Sequence, residues 1–351
     1  MIYYIESRNT DPFYNLALEQ FAFDRLGREN SFFMLWQNHN SIIIGKHQNT
    51  IEEINEVYVK EHGITVARRL SGGGAVYHDL GNLNYTFISG DEPGAGDRRL
   101  TDPKSLYKSK TTGIDFSAFC EPIRQALRSF GVPVEISGRN DMTVEGKKFS
   151  GNAQYIKQGR VMHHGTILYD SNLEVLSGAL KPGNDKIESK GIKSVQNRVT
   201  NIRPYMKNDM PIADFWISLK ESIGASLEMR DYSLTGTDLM AVEELREKVY
   251  SQWSWNYGNS PPYTLRRVNR VEGCGKIEVL LDIGREGIIK NMAFYGDFFG
   301  DGDPAELGKA LAGHHLEYGE IKNELEKIAI SHYFHALDSA AFLTLLFGSD
   351  Y

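Results

Sequence analysis

The feature that most constrains this chain is the run of three glycines at residues 72–74, which lies between two stretches of β-branched and apolar residues. Without Cβ atoms, these residues allow backbone N–H groups to approach a bulky anion, and Arg68 and Arg69 add positive charge beside them. The common nucleotide loops do not fit, because Tyr77 replaces the third glycine of G-x-G-x-x-G and no G-x-x-x-x-G-K-[ST] occurs. The sequence therefore predicts an anion-binding loop of another kind, between two strands.

Length and charge limit the class of protein. The 351 residues correspond to about two domains, and acidic residues outnumber basic ones by 46 to 39, which argues against nucleic-acid and membrane partners. Cys120 and Cys274 are far apart in sequence, which gives neither a disulfide framework nor C-x-x-C metal spacing and favours a reducing compartment. There is no secretory leader pattern and no apolar stretch of membrane-spanning length. We expect a soluble, cytoplasmic monomer.

Periodicity predicts a mixture of helices and strands. An N-cap candidate, Asp11, followed by Pro12 begins a predicted helix at residues 11–25. Other helices are predicted at residues 52–62, 115–130, 173–180, 212–227 and 241–253, and strands at 2–5, 32–36, 41–44, 64–70, 75–78, 83–88, 134–136, 142–144, 148–157 and 161–169. Residues 90–113 show little periodicity and are predicted to be a mobile loop of the kind that often orders around bound ligand. The lysine-rich residues 181–203 are predicted to be a second loop, either flexible or substrate-facing.

A domain boundary is predicted at the sequence Asn259-Ser-Pro-Pro, which interrupts any regular element. We expect a large domain at residues 1–256, a linker at 257–261 and a small α+β domain at 262–351. The small domain is predicted to contain two or three strands followed by two helices.

Polar residues suited to chemistry recur at residues 138–142, 146–153 and 163–166. On adjacent strands they would bring an amide, a carboxylate, a lysine and an imidazole to one face, a combination suited to an activated acyl phosphate. The sequence does not by itself show that these segments are close in space.

The motifs resemble those of the biotin and lipoate protein ligase family. Residues 68–79 match R-R-x-S-G-G-G-x-V-[FY]-H-D, residues 138–141 match G-R-N-D, and residues 148–153 match K-[VI]-[SA]-G-x-A except that Phe149 stands at the second position. His163-His164-Gly165-Thr166 and the segment 191–195 also correspond, in the same order. The resemblance implies an α+β fold, in which a large catalytic domain of mixed and antiparallel sheets flanked by helices precedes a small α+β C-terminal domain.

This resemblance implies a two-step ligation. A carboxylate is a poor acyl donor, so lipoate is first joined to the α-phosphate of ATP to give lipoyl-AMP and pyrophosphate. A lysine of an acceptor lipoyl domain then attacks the acyl carbon and releases AMP. The implied acceptors are the lipoyl domains of 2-oxoacid dehydrogenase E2 subunits and the glycine cleavage H protein. Mg²⁺ is expected with the phosphates, with Asp141 as its protein ligand.

The same resemblance assigns residues. Lys148 is the expected catalytic residue, whose ammonium would stabilise negative charge on phosphorus and then on the acyl carbon. The expected nucleotide-binding residues are Arg69, Gly74, Ala75, Val76, Tyr77, Asn140, Asp141 and Lys148. The expected lipoate-binding residues are Leu16, Trp36, Arg69, Ser71, Gly72, Gly73, His78, Lys148, Gly151, Ala153 and His164.

Other functions remain open at this point. A transferase without ATP would need a nucleophilic cysteine, and neither cysteine lies in a motif. Biotin ligation fits the loop less well. A non-catalytic lipoyl-domain-binding scaffold would have no use for a lysine directed at phosphorus.

Each motif also has an ordinary structural explanation. Three glycines between strands commonly form a tight turn, and lysines such as Lys147 usually lie on the surface. His163 and His164 could be hydrogen-bonded strand residues, and Trp36 could belong to the core. The residues alone do not separate these alternatives.

Overall fold

The computed structural model describes residues 1–28, 30–89, 116–138, 140–180, 198–257, 265–284 and 287–348. These residues form two compact units. Unit 1 comprises Met1–Ile44, Thr50–Leu70 and Ala75–Asn256, and unit 2 comprises Gly45–Asn49, Ser71–Gly74 and Tyr257–Tyr351. The predicted loop 90–113, the part of the predicted loop 181–203 up to residue 197, and the predicted boundary at Asn259 lie outside the described residues.

Unit 1 is organised around an eight-stranded mixed sheet. In spatial order the strands are β11 (Met229–Asp231), β1 (Ile2–Glu6), β2 (Phe32–Trp36), β6 (Asn82–Ile88), β10 (Arg160–Leu168), β9 (Lys147–Lys157), β8 (Asp141–Val144) and β7 (Val134–Ser137). Strand β1 is parallel to both of its neighbours, and every later pair is antiparallel. Seven of the strands predicted from periodicity therefore lie in this one sheet, together with β11.

Helices cover both faces of this sheet. On one face, α1 (Pro12–Asp24) packs against α7 (Gly236–Leu245), and on the other, α4 (Phe116–Ser129) packs against α6 (Ile212–Ser226). The Asp11 side chain caps α1 by accepting from the Phe13 N–H, as its sequence predicts. Two separate apolar cores, one on each face, hold the sheet between these helix pairs.

A smaller sheet in unit 1 flanks the glycine run. Its order is β4 (Thr65–Arg68), β3 (Ser41–Ile44) and β5 (Val76–His78), with β3 in the middle. The glycines thus connect the two outer strands of a three-stranded sheet. The prediction that they join strands is confirmed.

The remaining helices of unit 1 are short. They are α2 (Thr50–Glu53), α3 (Glu56–Glu61), α5 (Leu173–Ala179) and α8 (Trp253–Asn256), together with 3₁₀ turns at Leu26–Arg28 and Arg203–Tyr205 and a π-helix at Arg246–Tyr250.

Unit 2 has its own sheet and apolar core. The antiparallel strands β12 (Leu265–Val271), β13 (Gly275–Ile283) and β14 (Ile289–Gly296) pack with α9 (Pro304–Leu311), α10 (Tyr318–Leu325), α11 (Ile330–Tyr333) and α12 (Ser339–Phe347). Gly72 and Gly73 belong to this unit. A Cβ on Gly72 would lie 2.3 Å from the Phe298 carbonyl oxygen, so the absence of a side chain permits this close backbone approach.

The expected fold class is confirmed, but several element predictions are wrong. The single helix predicted at residues 52–62 is two helices, because Asn55 begins α3 as its N-cap. The helix predicted at 241–253 starts at Gly236 and changes to the π-helix after Leu245. Strand β11 was not predicted, and the C-terminal region has four helices in its described part instead of two.

Candidate active site

Alternation along the strands places several candidate residues, among them Trp36, Gly151 and Asp141, on one face of the large sheet. Side chains two residues apart share a face, and cross-strand pairing aligns Trp36 with Asn84 and Asn84 with Thr166. The Thr166 hydroxyl accepts the Gly151 N–H at 3.1 Å, and Gly151 pairs with Asp141. A row of side chains therefore crosses five strands, from an indole at one end to a carboxylate at the other, over about 19 Å at roughly 4.8 Å per strand.

Lys148 lies at the carboxylate end of this row. A register shift between Met142 and Thr143 marks a bulge in the β8–β9 pair, a feature that redirects side chains. The Lys148 ammonium lies 2.7 Å from Asp141 Oδ1, and its side chain is 38% exposed. A Cβ on Gly151 would lie 3.0 Å from that ammonium, so the lysine crosses the glycine to reach the carboxylate.

The backbone of Lys148 is fixed as well. Its N–H donates to the Arg198 carbonyl at 2.7 Å, and its carbonyl accepts the Thr200 N–H at 2.9 Å. Because Lys148 is held through both its backbone and its ammonium, the amine has a defined position and remains accessible to a ligand.

Asn140 is bonded to Asn152 across the β8–β9 pair. The Asn140 amide donates to the Asn152 carbonyl at 2.6 Å, while the Asn152 N–H donates to the Asn140 carbonyl at 2.9 Å. Both bonds set the position of Asp141, which follows directly in sequence. The structure thus gives Asn140 a positioning contact in addition to its expected role toward the nucleotide.

A buried polar chain begins at the indole end of the row. Trp36 Nε1–H donates to the Thr86 hydroxyl at 2.9 Å, and that hydroxyl donates to Glu19 Oε1 at 2.7 Å. His164 Nδ1 lies 2.8 Å from the same oxygen. Glu19 is only 2% exposed, so its carboxylate depends on these partners in place of water.

Arg69 is buried near this carboxylate. Its Nη1 donates to the Ile43 carbonyl at 3.0 Å. Burial lowers the pKa of Arg69 to about 10, an effect that the negative charge of Glu19 opposes and the positive charge of Arg68 strengthens. The guanidinium therefore remains charged at neutral pH.

Arg68 has a different environment. Its guanidinium donates to the carbonyls of Trp255 and Asn256 and to the Thr50 hydroxyl, at 2.9, 3.1 and 2.6 Å. The Trp255 indole in turn donates to the Arg68 carbonyl. Arg68 therefore ties α8 to β4, and the two adjacent arginines have distinct surroundings.

A chain of amides fixes the protonation of His78. Asn15 Nδ2 donates to the carbonyls of Asn9 and Gln37 and to Asn38 Oδ1. Because Asn38 Oδ1 accepts this bond, the nitrogen of the same Asn38 amide faces His78 and donates to Nδ1 at 3.1 Å. Burial, with the charges of Arg69 and His164, lowers the pKa of His78 to about 3. His78 is therefore neutral with its proton on Nε2, and that buried nitrogen has no hydrogen-bond partner among the described residues.

The two adjacent histidines of β10 face opposite sides of the sheet. His164 faces α1, whereas His163 is stacked on Phe119 of α4, with ring centres 5.1 Å apart. Burial lowers the pKa of His163 well below its ordinary value. Only His164 shares the face that carries Lys148.

The other candidates lie as follows. Leu16 is buried on α1, and Ala153 is buried on β9 directly opposite His164. Ala75 and Val76 are half-buried, and the Tyr77 hydroxyl donates to Asn40 Oδ1 at 3.0 Å. Ser71, Gly72 and Gly73 are buried in unit 2, where Gly74 is exposed. Arg139 and residues 191–195 lie outside the described residues.

Sequence reasoning missed Glu19, Thr86 and Asn38. The available signal was a pair of polar residues, Asn15 and Glu19, in an otherwise apolar helical stretch. They are four residues apart and therefore lie on the same side of α1. Both side chains are buried, which marks them as members of a polar site.

Two other features are absent from the described ranges. These residues contain no cluster of three or more His, Cys, Asp or Glu side chains arranged to hold a metal ion. In the same part of the chain, no helix has the length and apolarity needed to cross a bilayer.

Comparison with known proteins identifies the family of both parts of the chain. Residues 11–224 match the family described as lipoyl protein ligase A/B catalytic domain, and residues 260–346 match bacterial lipoate protein ligase C-terminus. The chain is 41% identical to lipoate-protein ligase LplJ of Bacillus subtilis (strain 168), over 98% of this chain and 99% of that protein. It is 40% identical to lipoate–protein ligase 1 of Staphylococcus aureus (strain Mu50), with coverage of 98% and 99%.

Solved structures show the same fold. LipL1 of P. falciparum, crystallised with lipoate, superimposes with a TM-score of 0.75 at 24% identity, covering 98% of this chain and 96% of that one. A bi-partite lipoate protein ligase of Thermoplasma acidophilum, described with its E2 lipoyl domain, gives a TM-score of 0.61 at 27% identity, covering 75% of this chain and 98% of that one. The resemblance inferred from the motifs is thereby confirmed, and this chain belongs to the lipoate–protein ligase family of enzymes.

Proposed function

We propose that this protein attaches lipoate to a lysine of a lipoyl acceptor domain in an ATP-dependent reaction through lipoyl-AMP. The observation that carries the proposal is the Lys148 ammonium, held over Gly151 against Asp141 at the open end of the polar row. Family membership at 41% identity over nearly the whole chain supports the lipoate substrate.

In the first step, a lipoate carboxylate oxygen attacks the α-phosphorus of ATP, a P–O bond forms, and the bond to pyrophosphate breaks. Negative charge builds up on the phosphoryl oxygens in this transition state. The Lys148 ammonium would stabilise that charge, and Asp141 would orient the ammonium. Arg69, with residues 74–77, would bind the nucleotide.

In the second step, the acceptor amine attacks the acyl carbon, an amide bond forms, and AMP leaves with the electrons of the C–O bond. The amine loses one proton. The same ammonium would then stabilise the oxyanion of the tetrahedral intermediate. A single positive charge at position 148 would therefore serve both steps.

The lipoyl chain is apolar and requires a slot with few polar groups. Leu16, Trp36 and Ala153 supply buried apolar surface on the face that also carries Lys148. His78 and His164 provide two imidazoles at that surface, of which His78 is neutral. This arrangement supports binding of the acyl chain along the row toward Lys148.

Mg²⁺ fits this site only together with the nucleotide. The Asp141 carboxylate lies beside Lys148, and its Oδ1 is already paired with the ammonium, so it would contribute at most one further oxygen. Mg²⁺ characteristically takes one or two carboxylates and completes its shell with phosphates and water. Bound in this way it would neutralise phosphate charge.

The acceptors proposed are E2 lipoyl domains of 2-oxoacid dehydrogenases and the glycine cleavage H protein. A thioester route through this chain is disfavoured because Cys120 and Cys274 are both buried. The lysine site, by contrast, is open to ligand.

The test is mass spectrometry of an apo lipoyl domain incubated with the protein, lipoate and Mg-ATP. We expect the acceptor to gain one lipoyl group, with one pyrophosphate released for each acceptor modified. Modification without ATP would contradict the adenylate route and favour the transferase. Absence of both pyrophosphate and modified acceptor, with lipoate or any C6–C10 acid, would favour the scaffold.

A further inference from the structure

A hydrogen bond passes over the middle strand of three neighbouring strands. Tyr85 on β6 and Asn152 on β9 each pair with Gly165 on β10, so they lie on opposite sides of this glycine. The Tyr85 hydroxyl donates to Asn152 Oδ1. The bond therefore links two strands that are not adjacent in the sheet.

Gly165 makes this bond possible. A Cβ at this position would lie 2.2 Å from Asn152 Oδ1 and 2.5 Å from the Tyr85 hydroxyl oxygen. Both distances are too short for a side-chain carbon. The glycine of the His-His-Gly-Thr motif thus leaves open the space through which the two side chains meet.

The Asn152 amide continues the connection toward the lysine site. Its Nδ2 donates to the Asn140 carbonyl at 3.1 Å, parallel to the backbone bond from Asn152 N–H to the same oxygen. Asn140 precedes Asp141, which holds the Lys148 ammonium. One amide side chain therefore connects the Tyr85 phenol with the strand that orients the lysine.

The protonation of Tyr85 suits this role. Burial raises the pKa of Tyr85 well above the ordinary value, the neighbouring Cys120 raises it further, and a hydrogen bond from Ser150 only partly opposes the shift. The phenol therefore keeps its proton as a donor. Since Asn152 Nδ2 points to a carbonyl, Asn152 Oδ1 faces Tyr85 and needs that donor.

We propose that Tyr85 and Asn152 are positioning residues for the reactive lysine, acting across Gly165 through Asn140 and Asp141 to hold the Lys148 ammonium in place. This inference rests on the proposed function of Lys148. It does not place Tyr85 in contact with substrate.

The test compares Tyr85→Phe with Tyr169→Phe in the full-length protein. Tyr169 is a matched control because its side chain is also fully buried in the same core and its hydroxyl also donates a hydrogen bond, to the Met210 carbonyl at 2.6 Å. We expect Tyr85→Phe to lower kcat for adenylate formation about tenfold, as a sub-ångström displacement of a catalytic group would. KM for lipoate and ATP should change by less than about twofold, and Tyr169→Phe should keep the wild-type kcat.

A double-mutant cycle with Asn152→Ala tests the route. If Tyr85 acts through Asn152, the double variant should be no slower than the slower single variant. Independent, multiplying losses would contradict the inference. Asn152→Ala also decides the matter if Tyr85→Phe does not fold, because its kcat should fall in the same way.

Lys148→Ala in the same assay separates the two claims. A Tyr85→Phe kcat within twofold of wild type, beside an inactive Lys148→Ala, would overturn the positioning role and leave the proposed function intact. Full adenylation by Lys148→Ala would overturn the proposed role of the lysine and this inference with it.

Discussion

The Gly151→Ala substitution tests how closely the Lys148 ammonium is placed. The added Cβ would lie 3.0 Å from Lys148 Nζ and 3.1 Å from Cε, whereas comfortable contacts are about 3.5–4.0 Å. The ammonium must therefore move by roughly half an ångström or more away from Gly151. Because the displaced atoms are the end of a flexible side chain, the backbone can stay in place.

The expected loss is in catalysis and not in stability. A misplacement of about 1 Å can cost on the order of 100-fold in rate, so a shift of about half that size should lower kcat for adenylation roughly tenfold. The melting temperature should stay within about 2 °C of wild type, because the backbone angle at residue 151 is not in the left-handed region that favours glycine.

The assay is pyrophosphate release with lipoate and Mg-ATP, together with thermal unfolding. Gly236→Ala is the matched control, since a Cβ there meets nothing within 4 Å. Wild-type kcat in Gly151→Ala would refute the close placement of the ammonium. A large fall in melting temperature with proportionate loss of activity would show that the glycine serves folding instead.

Three further changes test the buried polar groups. Glu19→Gln should lower the free energy of unfolding by about 3 kcal/mol in denaturant titration, because it leaves the buried Arg69 charge without its compensating carboxylate; a loss below about 1 kcal/mol would contradict this. His78 gains its proton near pH 6.5 in the unfolded chain but only near pH 3 in the folded chain. Its full contribution to the free energy of unfolding is therefore present above pH 6.5. As the pH drops below 6.5, the free energy of unfolding decreases by up to about 1.4 kcal/mol per pH unit. His78→Gln should remove that slope, and an unchanged slope between pH 6.5 and 5 would contradict the neutral buried imidazole. Arg68→Ala should lower the free energy of unfolding by about 3 kcal/mol, because it removes the hydrogen bonds to Thr50, Trp255 and Asn256, and a cost below about 1 kcal/mol would contradict the α8–β4 link.

Much of the fold could be predicted because its signals are local. The Asp11 cap, the alternation along β9 and β10 and the glycine connection all depend on neighbouring residues. Alternation also explains why His163 and His164 separate to opposite faces. Strand β11 was missed because three residues, two of them charged and exposed, carry no period of their own and pair only because β1 is beside them.

The site was predicted only in part, because its electrostatics depend on distant contacts. Glu19 meets His164 across 145 residues, and Tyr85 meets Asn152 across 67. Motif residues such as Lys148 stand out in the sequence, whereas their partners are ordinary polar residues whose role appears only when helix α1 lies on the sheet. The close packing of Gly72 against the Phe298 carbonyl is likewise invisible in sequence, although the glycine itself was conspicuous.

The central claim is that the Lys148 ammonium stabilises the transition state in which lipoyl-AMP forms. Single-turnover formation of lipoyl-AMP, followed by rapid quench, measures this directly in Lys148→Ala and Lys147→Ala. Lys147 is an exposed neighbour on the same strand and serves as the matched control for loss of a charge. We predict that Lys148→Ala slows adenylate formation by about 100-fold or more while Lys147→Ala retains the wild-type rate. Equal rates in the two variants would contradict the account.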